Sequence, residues 1–475
     1  MAAILGALAC FPVLLGRNRV ILSGLGLLAA AEVWMAFALV PAHDLKQLIA
    51  SPTRVAALVG AALVVVGVVF LFVRHPGIAP LLLLVAAPFR IGVSLGTQNA
   101  RLLLPLYGVL VAAALALAWR LLRNEPARRI DRSLAVPSAA LICLYSLSLL
   151  WAKDVKEGSI ELAAFLFPFL VLVAVVVNEP RRSWLPRALA VVLVSEGVAF
   201  AAFGLWEEGA HRIYFSRSLG IANAYNGYFR VNSLFYDPNI YGRHLALAIC
   251  VLVVLMWKRR LLIAVAAALI AVLFSGLYYS YSLSSLVALF VVVVGITLVV
   301  GGRRTRRAIV TCAAVLALAG VSLAVVGVRG HSVRDLTSGR SHLASITFDA
   351  FRDHPLAGVG VGSQPRASED KSASRVAVKK DASHTTPLTV AAELGVLGLA
   401  AYLAWLAGAC VTLWKAWKRD ATIGLSLAAV FGVLFVHSLS YSGFFEDPIT
   451  WGALALAAAC VLHARGPKPS AVTRE

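Results

Sequence analysis

The feature that most constrains this chain is the repetition of apolar runs of about 20 residues along almost its whole length. A helix of that length spans the hydrocarbon core of a bilayer, which is about 30 Å thick. Lipid offers the backbone no hydrogen-bond partners, so a lipid-facing run must be helical. An apolar fraction of 60% over 475 residues excludes a set of soluble domains. The chain is therefore predicted to be an all-α polytopic membrane protein.

The apolar runs predict about 14 transmembrane helices, within a range of about 12 to 15. The run 78–97 is interrupted by Pro80, Pro88 and Arg90, so it is expected either to cross the membrane or to be re-entrant or interfacial. The expected organisation is N-terminal helices over 1–206, a first exterior loop over 207–236, central helices over 237–328, a long exterior loop over 329–387, C-terminal helices over 388–463 and a cytoplasmic tail over 464–475.

The net charge of +20 arises from arginines and lysines in short polar turns that alternate with poorly charged ones. More than half of the 43 basic residues lie in these turns and in the C-terminal tail. This alternation is typical of cytoplasmic loops, so the charge indicates orientation and predicts no nucleic-acid partner. All six cysteines fall in apolar runs without metal-ligand spacing, and no DxD or HExxH pair occurs. Neither a metal nor a cofactor is predicted.

The first group of residues that could carry chemistry lies where the first long exterior loop enters a span. Asp237 followed by Pro238 predicts a helix start, which places Asn239 and Arg243 on one helix face. The helix N-terminus with Arg230 and Arg243 would form an anion site at the exterior surface. Arg243 lies a turn inside an apolar run, where charge is usually functional. The alternative is a simple cap with a snorkelling arginine.

The second group occupies the long exterior loop and contains Arg340 and the glycine-rich segment His354–Ser363. The glycines follow no predicted strand, and exterior loops meet no nucleotide, so no nucleotide partner is expected. A tight turn that lets the backbone approach a substrate is the favoured interpretation. Arg340 could bind a phosphate or could pair with Asp335 or Asp349.

The third group begins at His384, just before a predicted helix start at Thr386-Pro387. An imidazole at the mouth of a membrane cavity suits a general base, although it could also be a capping side chain. Glu393 lies about two turns into the span, where an acid usually has a partner. Arg243 or a histidine is the candidate partner, and the pair could be purely structural.

Two further polar segments lie at the exterior ends of spans. Tyr281 belongs to a cluster of tyrosines and serines over 278–285, which could be an aromatic belt or part of a substrate site. Glu446 and Asp447, followed by Pro448, could be a helix cap or could supply a site carboxylate.

Together the three groups resemble the O-antigen ligase and O-antigen polymerase superfamily of bacterial envelope proteins. The resemblance covers roughly 225–405. It rests on the order, spacing and exterior placement of three motifs, which are Arg230 leading into Asp237-Pro238-Asn239, the segment His354-Pro-Leu-Ala-Gly-Val-Gly-Val-Gly362, and His384 followed by Glu393-Leu-Gly395.

The resemblance implies a GT-C-like membrane glycosyltransferase that needs no metal. Such enzymes take a glycan from an undecaprenyl-diphosphate carrier and join it to an acceptor on the exterior face of the bacterial inner membrane. Ligases use a lipid acceptor, and polymerases use a growing, carrier-linked glycan. By matching position, Arg230 would contact the donor diphosphate and His384 would act near the acceptor hydroxyl. The further residues expected to bind the diphosphate or glycan are Arg243, Arg340, Asn239 and Asp237, and those expected to support the site are Glu393, His354 and Tyr281. Direct displacement would invert the anomeric centre.

One departure concerns the second arginine that many members carry in a Ser-Arg pair. Here the corresponding segment is Tyr281-Ser-Leu-Ser-Ser285, and Arg243 is expected to supply the charge instead. Two rival functions remain open from the sequence. One is a transporter or flippase for lipid-linked glycans, and the other is a peptidoglycan-type polymerase.

Overall fold

The computed structural model describes residues 1–40, 51–95, 98–225, 227–328, 340–370, 383 and 385–462. Over these residues the chain is mostly helical. The helices are α1 (Ala2–Leu15), α2 (Asn18–Leu39), α3 (Pro52–Arg74), α4 (Ala79–Ala86), α5 (Leu104–Leu122), α6 (Arg132–Ser148), α7 (Val155–Glu161), α8 (Phe167–Asn178), α9 (Leu185–Ala210), α10 (Arg217–Tyr225), α11 (Pro238–Trp257), α12 (Ile263–Tyr279), α13 (Leu283–Val300), α14 (Arg303–Val328), α15 (Arg340–Asp353), α16 (Gln364–Glu369), α17 (Thr386–Arg419), α18 (Ala421–Ser438) and α19 (Pro448–Leu462). A π-helical segment, Leu162–Leu166, joins α7 to α8.

Nine helical stretches in these described ranges are long and apolar enough to cross a membrane, counting α7 and α8 as one. Four shorter apolar helices, α1, α6, α12 and α19, accompany them. The nine longer stretches have at least 18 residues, enough to cross the hydrocarbon core at about 1.5 Å per residue. The molecule therefore fits the predicted class of all-α polytopic membrane proteins, while the number of about 14 spans remains a prediction.

The run 78–97 does not form a span. Helix α4 ends at Ala86, and the chain then forms an antiparallel hairpin of β1 (Ile91–Leu95) and β2 (Gln98–Leu102), with Ile91 opposite Leu102. The prediction of a possible crossing here was wrong because Pro88 lacks a helical N–H and the charged side chain of Arg90 packs inward against protein.

Helix α11 lies at the centre of the bundle. Every residue from Tyr241 to Val254 is buried, so this helix is covered by protein on all its faces. It packs against α9, α12, α13 and α18. In contrast, α3 exposes most of its apolar side chains. Apolar exposure of that extent is expected of a lipid-facing helix. The central position of α11 holds its first turns, which begin at Asp237, within the protein.

The segment His354–Ser363, here called the glycine strap, connects α15 to α16. Gly358, Gly360 and Gly362 have φ of 65°, 91° and 67°. The N–H of Val359 donates to the Ala392 carbonyl and that of Gly360 to the Glu393 carbonyl, each at 2.9 Å. The prediction that this turn approaches a substrate was wrong, because its backbone packs against α17 and the start of α7.

Helix α17 is interrupted where the strap meets it. Gly395 has φ 66° and ψ −160°, and the N–H of Val396 donates to the Pro355 carbonyl at 2.8 Å. The helix begins at Thr386 as expected, but the cap position is Thr385 rather than Thr386, and its side chain makes no capping bond. The strap and the interruption therefore form one structural unit.

Gly358→Ala is expected to destabilise the protein. A Cβ at this position would lie 2.2 Å from the Glu393 carbonyl carbon, and φ of 65° costs an L-residue about 1–2 kcal/mol even in open space. We expect a clear fall in the thermal midpoint of the detergent-purified protein. The matched control is Gly302→Ala, because this loop glycine has open space around its Cβ direction and should leave the midpoint unchanged. Equal midpoints for both variants would contradict this account of the strap.

Candidate functional site

The helix start at Asp237 is confirmed. The Asp237 carboxylate accepts the N–H of Asn239 at 2.6 Å, and Pro238 occupies the first turn of α11. The Asn239 side-chain oxygen accepts the Ser282 hydroxyl at 3.0 Å, and the Asn239 carbonyl accepts the Ser285 hydroxyl at 3.2 Å. Asn239 therefore ties the beginning of α11 to the beginning of α13. Both helices start at the same end of the bundle.

Arg243 lies in the second turn of α11 and forms a buried ion pair. Its Nη2 is 2.6 Å from the Asp447 Oδ2, and the two side chains are 4% and 9% exposed. Its Nη1 lies 3.5 Å from the Gly443 carbonyl. The other Asp447 oxygen accepts the N–H of Ile449 at 2.9 Å, so Asp447 is both the cap of α19 and the partner of Arg243. Of the two candidate partners of Glu393, Arg243 or a histidine, the choice of Arg243 was wrong, because Asp447 neutralises this guanidinium.

A second guanidinium, that of Arg90, lines a small cavity together with Arg243. Its Nη2 donates to the Glu446 carbonyl at 2.9 Å, and its Nη1 is 4.0 Å from the Glu446 carboxylate. The guanidinium also lies over the rings of Phe165 and Tyr236, at 5.6 Å and 5.9 Å from their centroids. Arg90 and Arg243 line a cavity of about 20 Å³, which has room for roughly one water.

Arg90 was not among the site residues expected from the sequence. It was interpreted there only as an interruption of an apolar run. The signal that could have identified it is the same one that identified Arg243, namely a charged residue within an apolar stretch.

Two tyrosines lie beside these arginines. Burial raises the pKa of Tyr236, and Arg90 offsets part of that effect. Burial also raises the pKa of Tyr441 well above its ordinary value, and the nearby Asp237 carboxylate adds to the effect. Both phenols are therefore neutral at physiological pH and can donate hydrogen bonds. The charged side chains that line the cavity itself are Arg90, Arg243 and Asp447, and most of the remaining lining is apolar.

Arg230 is held outside this cavity. Its Nε donates to the Ser280 carbonyl at 3.0 Å, and its backbone exchanges two hydrogen bonds with the Asn223 side chain. No partner for its two Nη groups occurs among the residues that the structure describes. A Cβ at Gly242, next to Arg243, would lie 2.9 Å from the Ser280 hydroxyl. Arg230 and Arg243 thus approach the same turn, but no contact joins their side chains.

Glu207 fixes the loop that carries Arg230. Its Oε2 accepts the N–H groups of Asn232 at 3.2 Å and of Ser233 at 2.7 Å. Ser233 has φ of 52°, so this bond stabilises a backbone conformation that serine rarely adopts. Sequence reasoning missed this role, because an acid near the end of a span gives no indication of which loop it will bind.

Tyr281 belongs to an exposed aromatic group. Its ring lies 4.6 Å from that of Tyr228 and 6.0 Å from that of Tyr278, measured between centroids. All three side chains are exposed, and their loops adjoin Arg230 through Ser280. The structure therefore places Tyr281 near Arg230 and not in the lining of the Arg90–Arg243 cavity.

Glu393 lies in a buried group of acids. Its carboxyl accepts backbone N–H groups of Gly362 and Gln364, and it lies within electrostatic range of Glu161, whose carboxyl also accepts from Gly362. Glu446, the partner of Arg90, is within electrostatic range of both acids. The glycine strap and the third motif are therefore connected through these acids to the arginine site.

Three of the expected residues make no described contact with the site. His354 is exposed at the end of α15. The side chain of Arg340 and the whole of His384 lie outside the described residues, so their roles remain predictions. Next to His384, the N–H of Ser383 donates to the Gln364 side chain at 2.8 Å. Of the two alternative partners of Arg340, Asp335 lies outside the described residues, and Asp349 lies 3.9 Å from Arg352.

No set of three or more His, Cys, Asp or Glu side chains in the described part of the chain is arranged to hold a metal ion. The chemical groups that the site offers are guanidiniums. Two arginines from distant segments meet at one cavity, each balanced by an adjacent acid of the turn between α18 and α19, and a third arginine lies nearby with its Nη groups unengaged by any described residue.

Comparison with known proteins agrees with the motifs. Residues 269–403 match a family model described as O-antigen ligase. The match runs from within α12 to within α17, and it includes the glycine strap and Glu393. No curated protein matches the chain significantly. The resemblance to the O-antigen ligase and polymerase superfamily is thereby confirmed.

Asp447→Asn is expected to destabilise the protein by about 3 kcal/mol, because it keeps the cap of α19 but leaves the Arg243 charge buried without a counter-ion. Adding Arg243→Met should recover more than half of that loss, since the double variant buries no charge at this pair. Thermal unfolding in detergent measures both effects. The control is Asp370→Asn, which breaks an exposed pair with Lys153 at 3.7 Å and should change stability by less than about 1 kcal/mol. A double variant no more stable than Asp447→Asn would exclude this explanation.

Proposed function

We propose that this chain is a glycosyltransferase of the bacterial inner membrane. It moves a glycan from an undecaprenyl-diphosphate carrier to a lipid or a growing polysaccharide on the exterior face. The observation that carries the proposal is the meeting of the largely buried Arg90 and the buried Arg243 at one cavity. It occurs in a chain whose residues 269–403 match the O-antigen ligase family.

The arginines suit the departure of a diphosphate. This leaving group needs little help from an acid, but it accumulates negative charge, and guanidinium groups neutralise phosphate oxygens with paired hydrogen bonds. Arg243 and Arg90 would form the inner clamp. Arg230, with its Nη groups without a described partner, would contact the diphosphate from the exterior side. Arg90 thus provides a candidate for the second arginine that the segment 281–285 lacks.

The donor must widen the site before it can bind. A cavity of about 20 Å³ holds roughly one water and is far too small for a diphosphate. Glu446 and Asp447 occupy the positions next to the two guanidiniums, so the donor oxygens would replace these carboxylates as counter-ions. The turn between α18 and α19, which carries both acids and the Gly443 carbonyl, is the element that would move.

His384 is the proposed general base for the acceptor hydroxyl. A base must come within about 3 Å of the proton that it removes. The sequence places His384 between Ser383, whose N–H is bonded to Gln364, and the first residues of α17. Gln364 also donates to the Glu393 carboxyl, which connects this segment to the acids near Arg90. A single displacement of this kind inverts the anomeric carbon and needs no metal.

Two sets of residues would support the reaction. Glu393 and Glu161 accept the Gly362 N–H and so hold the glycine strap against α7 and α17. The exposed rings of Tyr228, Tyr278 and Tyr281 form a surface on which sugar rings of the donor glycan can stack, next to Arg230.

Purified protein in liposomes, given undecaprenyl-diphosphate glycan with and without a lipid acceptor, tests the proposed activity. Growing chains without the acceptor indicate a polymerase, whereas a single transfer to the lipid indicates a ligase. A product containing stem peptides would indicate a peptidoglycan-type polymerase. Movement of the donor across the vesicle membrane without any product would indicate a transporter and would refute the proposal.

Arg230→Ala and His384→Ala are each expected to lower the transfer rate by at least about 100-fold, the usual effect of one charge-stabilising group or one general base. Initial rates at matched protein levels measure the effect. The matched control is Arg217→Ala, which removes an exposed arginine from the same exterior loop and should retain the wild-type rate. Full activity in either test variant would refute the corresponding role.

Arg90→Gln tests the inner clamp. The glutamine amide can still donate to the Glu446 carbonyl, but it carries no charge. We expect a loss of about 100-fold or more in transfer rate. The melting temperature is measured in parallel, because Arg90 is also packed against Phe165 and Tyr236. A folded Arg90→Gln variant that transfers glycan at the wild-type rate would remove Arg90 from the site.

A further inference from the structure

A second cavity, of about 680 Å³, lies where α3 ends and α9 begins. Its lining comes from two turns that are distant in sequence, 74–78 and 181–184. The side chains that matter for its chemistry are Arg74, His75, Ile78, Arg181, Arg182 and Trp184. The cavity is much larger than the one between Arg90 and Arg243, and its volume falls in the range of small-molecule sites, roughly 300–1,000 Å³.

The lining is strongly basic and contains no acid. Glu179 lies just before the second turn, but both its oxygens are engaged: Oε1 lies 2.6 Å from Arg120 Nη2, and Oε2 accepts the Gly77 N–H at 2.6 Å. Asp420 and Arg181 both lie near enough to Cys460 to affect it electrostatically. The Asp420 carboxylate accepts two N–H groups as the cap of α18. The arginines of the cavity are therefore not neutralised by these acids.

The three arginines are accessible. Arg182 donates through its Nε to the Pro76 carbonyl at 3.1 Å, which fixes the side chain and leaves its Nη groups at the cavity. Arg74 lies over the Phe70 ring at 5.9 Å. Neither Arg74 nor Arg181 forms an ion pair with any residue in the described ranges. Three guanidiniums line one space, and no acid of the described residues lines it with them.

The cavity lies at the membrane surface opposite the proposed active site. Helix α9 runs from beside Trp184 to Ala210, about 39 Å at 1.5 Å per residue, and Glu207 near its far end holds the loop of Arg230. Trp184 is 45% exposed, and tryptophan is enriched where a membrane meets water. Phe70, one turn back along α3, is 67% exposed on a helix that otherwise faces lipid. Basic side chains that could bind a lipid headgroup thus lie next to an apolar surface of α3 that could contact acyl chains.

We propose that this cavity binds the phosphate group of an anionic phospholipid. Arg74, Arg181 and Arg182 would bind the phosphate oxygens, since guanidinium forks match phosphate geometry. The acyl chains would lie along the exposed apolar side of α3, beside Phe70. Basic pockets at this depth between transmembrane helices are suited to headgroups that carry more than one phosphate. Diphosphatidylglycerol is the probe that best matches three arginines.

Native mass spectrometry of the full-length, delipidated protein tests the proposal. Titration with diphosphatidylglycerol and with zwitterionic phosphatidylethanolamine should show at least about tenfold tighter binding of the anionic lipid. Arg74→Gln with Arg181→Gln should remove most of this preference. These two arginines make no hydrogen bond to the described backbone, so the double variant is expected to keep its melting temperature.

The matched control is Arg303→Gln with Arg304→Gln. These exposed arginines follow α13 at the same end of the bundle, and their replacement should leave the lipid preference unchanged. Three outcomes would overturn the proposal. They are equal binding of the two lipids by the wild type, equal affinity of the wild type and the test variant for the anionic lipid, and an equal loss of preference in the control. Complete displacement of the lipid by millimolar inorganic phosphate would assign the cavity to free phosphate and would also overturn it. The readout does not involve glycan transfer, so its failure leaves the proposed function unaffected.

Discussion

The ion pair between Arg243 and Asp447 is the interaction on which the end of the bundle that carries the candidate site depends. Two charges buried together lose most of their hydration, and only close geometry with further hydrogen bonds repays that cost. Here the 2.6 Å contact joins the second turn of α11 to the first turn of α19, and the same carboxylate caps α19. The neighbouring Glu446 repeats the arrangement with Arg90. One short turn thus neutralises two arginines that are far apart in sequence and brings them to one cavity.

The glycine strap provides the second constraint. Its three left-handed glycines bring backbone within contact of α7 and α17, where a Cβ would collide with other backbone atoms. The Gly362 N–H reaches both Glu161 and Glu393, so the strap supplies buried acids with a donor that helices alone do not provide. Glu446 also lies close enough to Glu161 and Glu393 to interact with them electrostatically, so the strap and the arginine site adjoin the same group of acids.

The sequence was sufficient for features set by local rules. Apolar run length predicted the membrane helices, and Asp237-Pro238 predicted the start of α11. The functional role of Arg243 remains a prediction. The sequence failed where the answer depends on contacts between distant segments. Asp447 lies about 200 residues from Arg243, and neither periodicity nor spacing indicates that it would be preferred to Glu393 as a partner. The glycines of the strap predicted a tight turn but not which atoms approach it. The role of His384 remains a prediction from sequence.

The double role of Asp447 explains how the site could exchange counter-ions without losing its fold. If a diphosphate replaces Asp447 as the counter-ion of Arg243, the Asp447 Oδ2 loses its partner. The Oδ1 still caps α19, so the helix start is preserved. A carboxylate left without a counter-ion in a buried site is costly, and hydration is the available compensation. On the proposed function, donor binding would then have to expose Asp447 to water. The cavity of about 20 Å³ holds roughly one water and no diphosphate, so the turn between α18 and α19 would have to open as the donor binds.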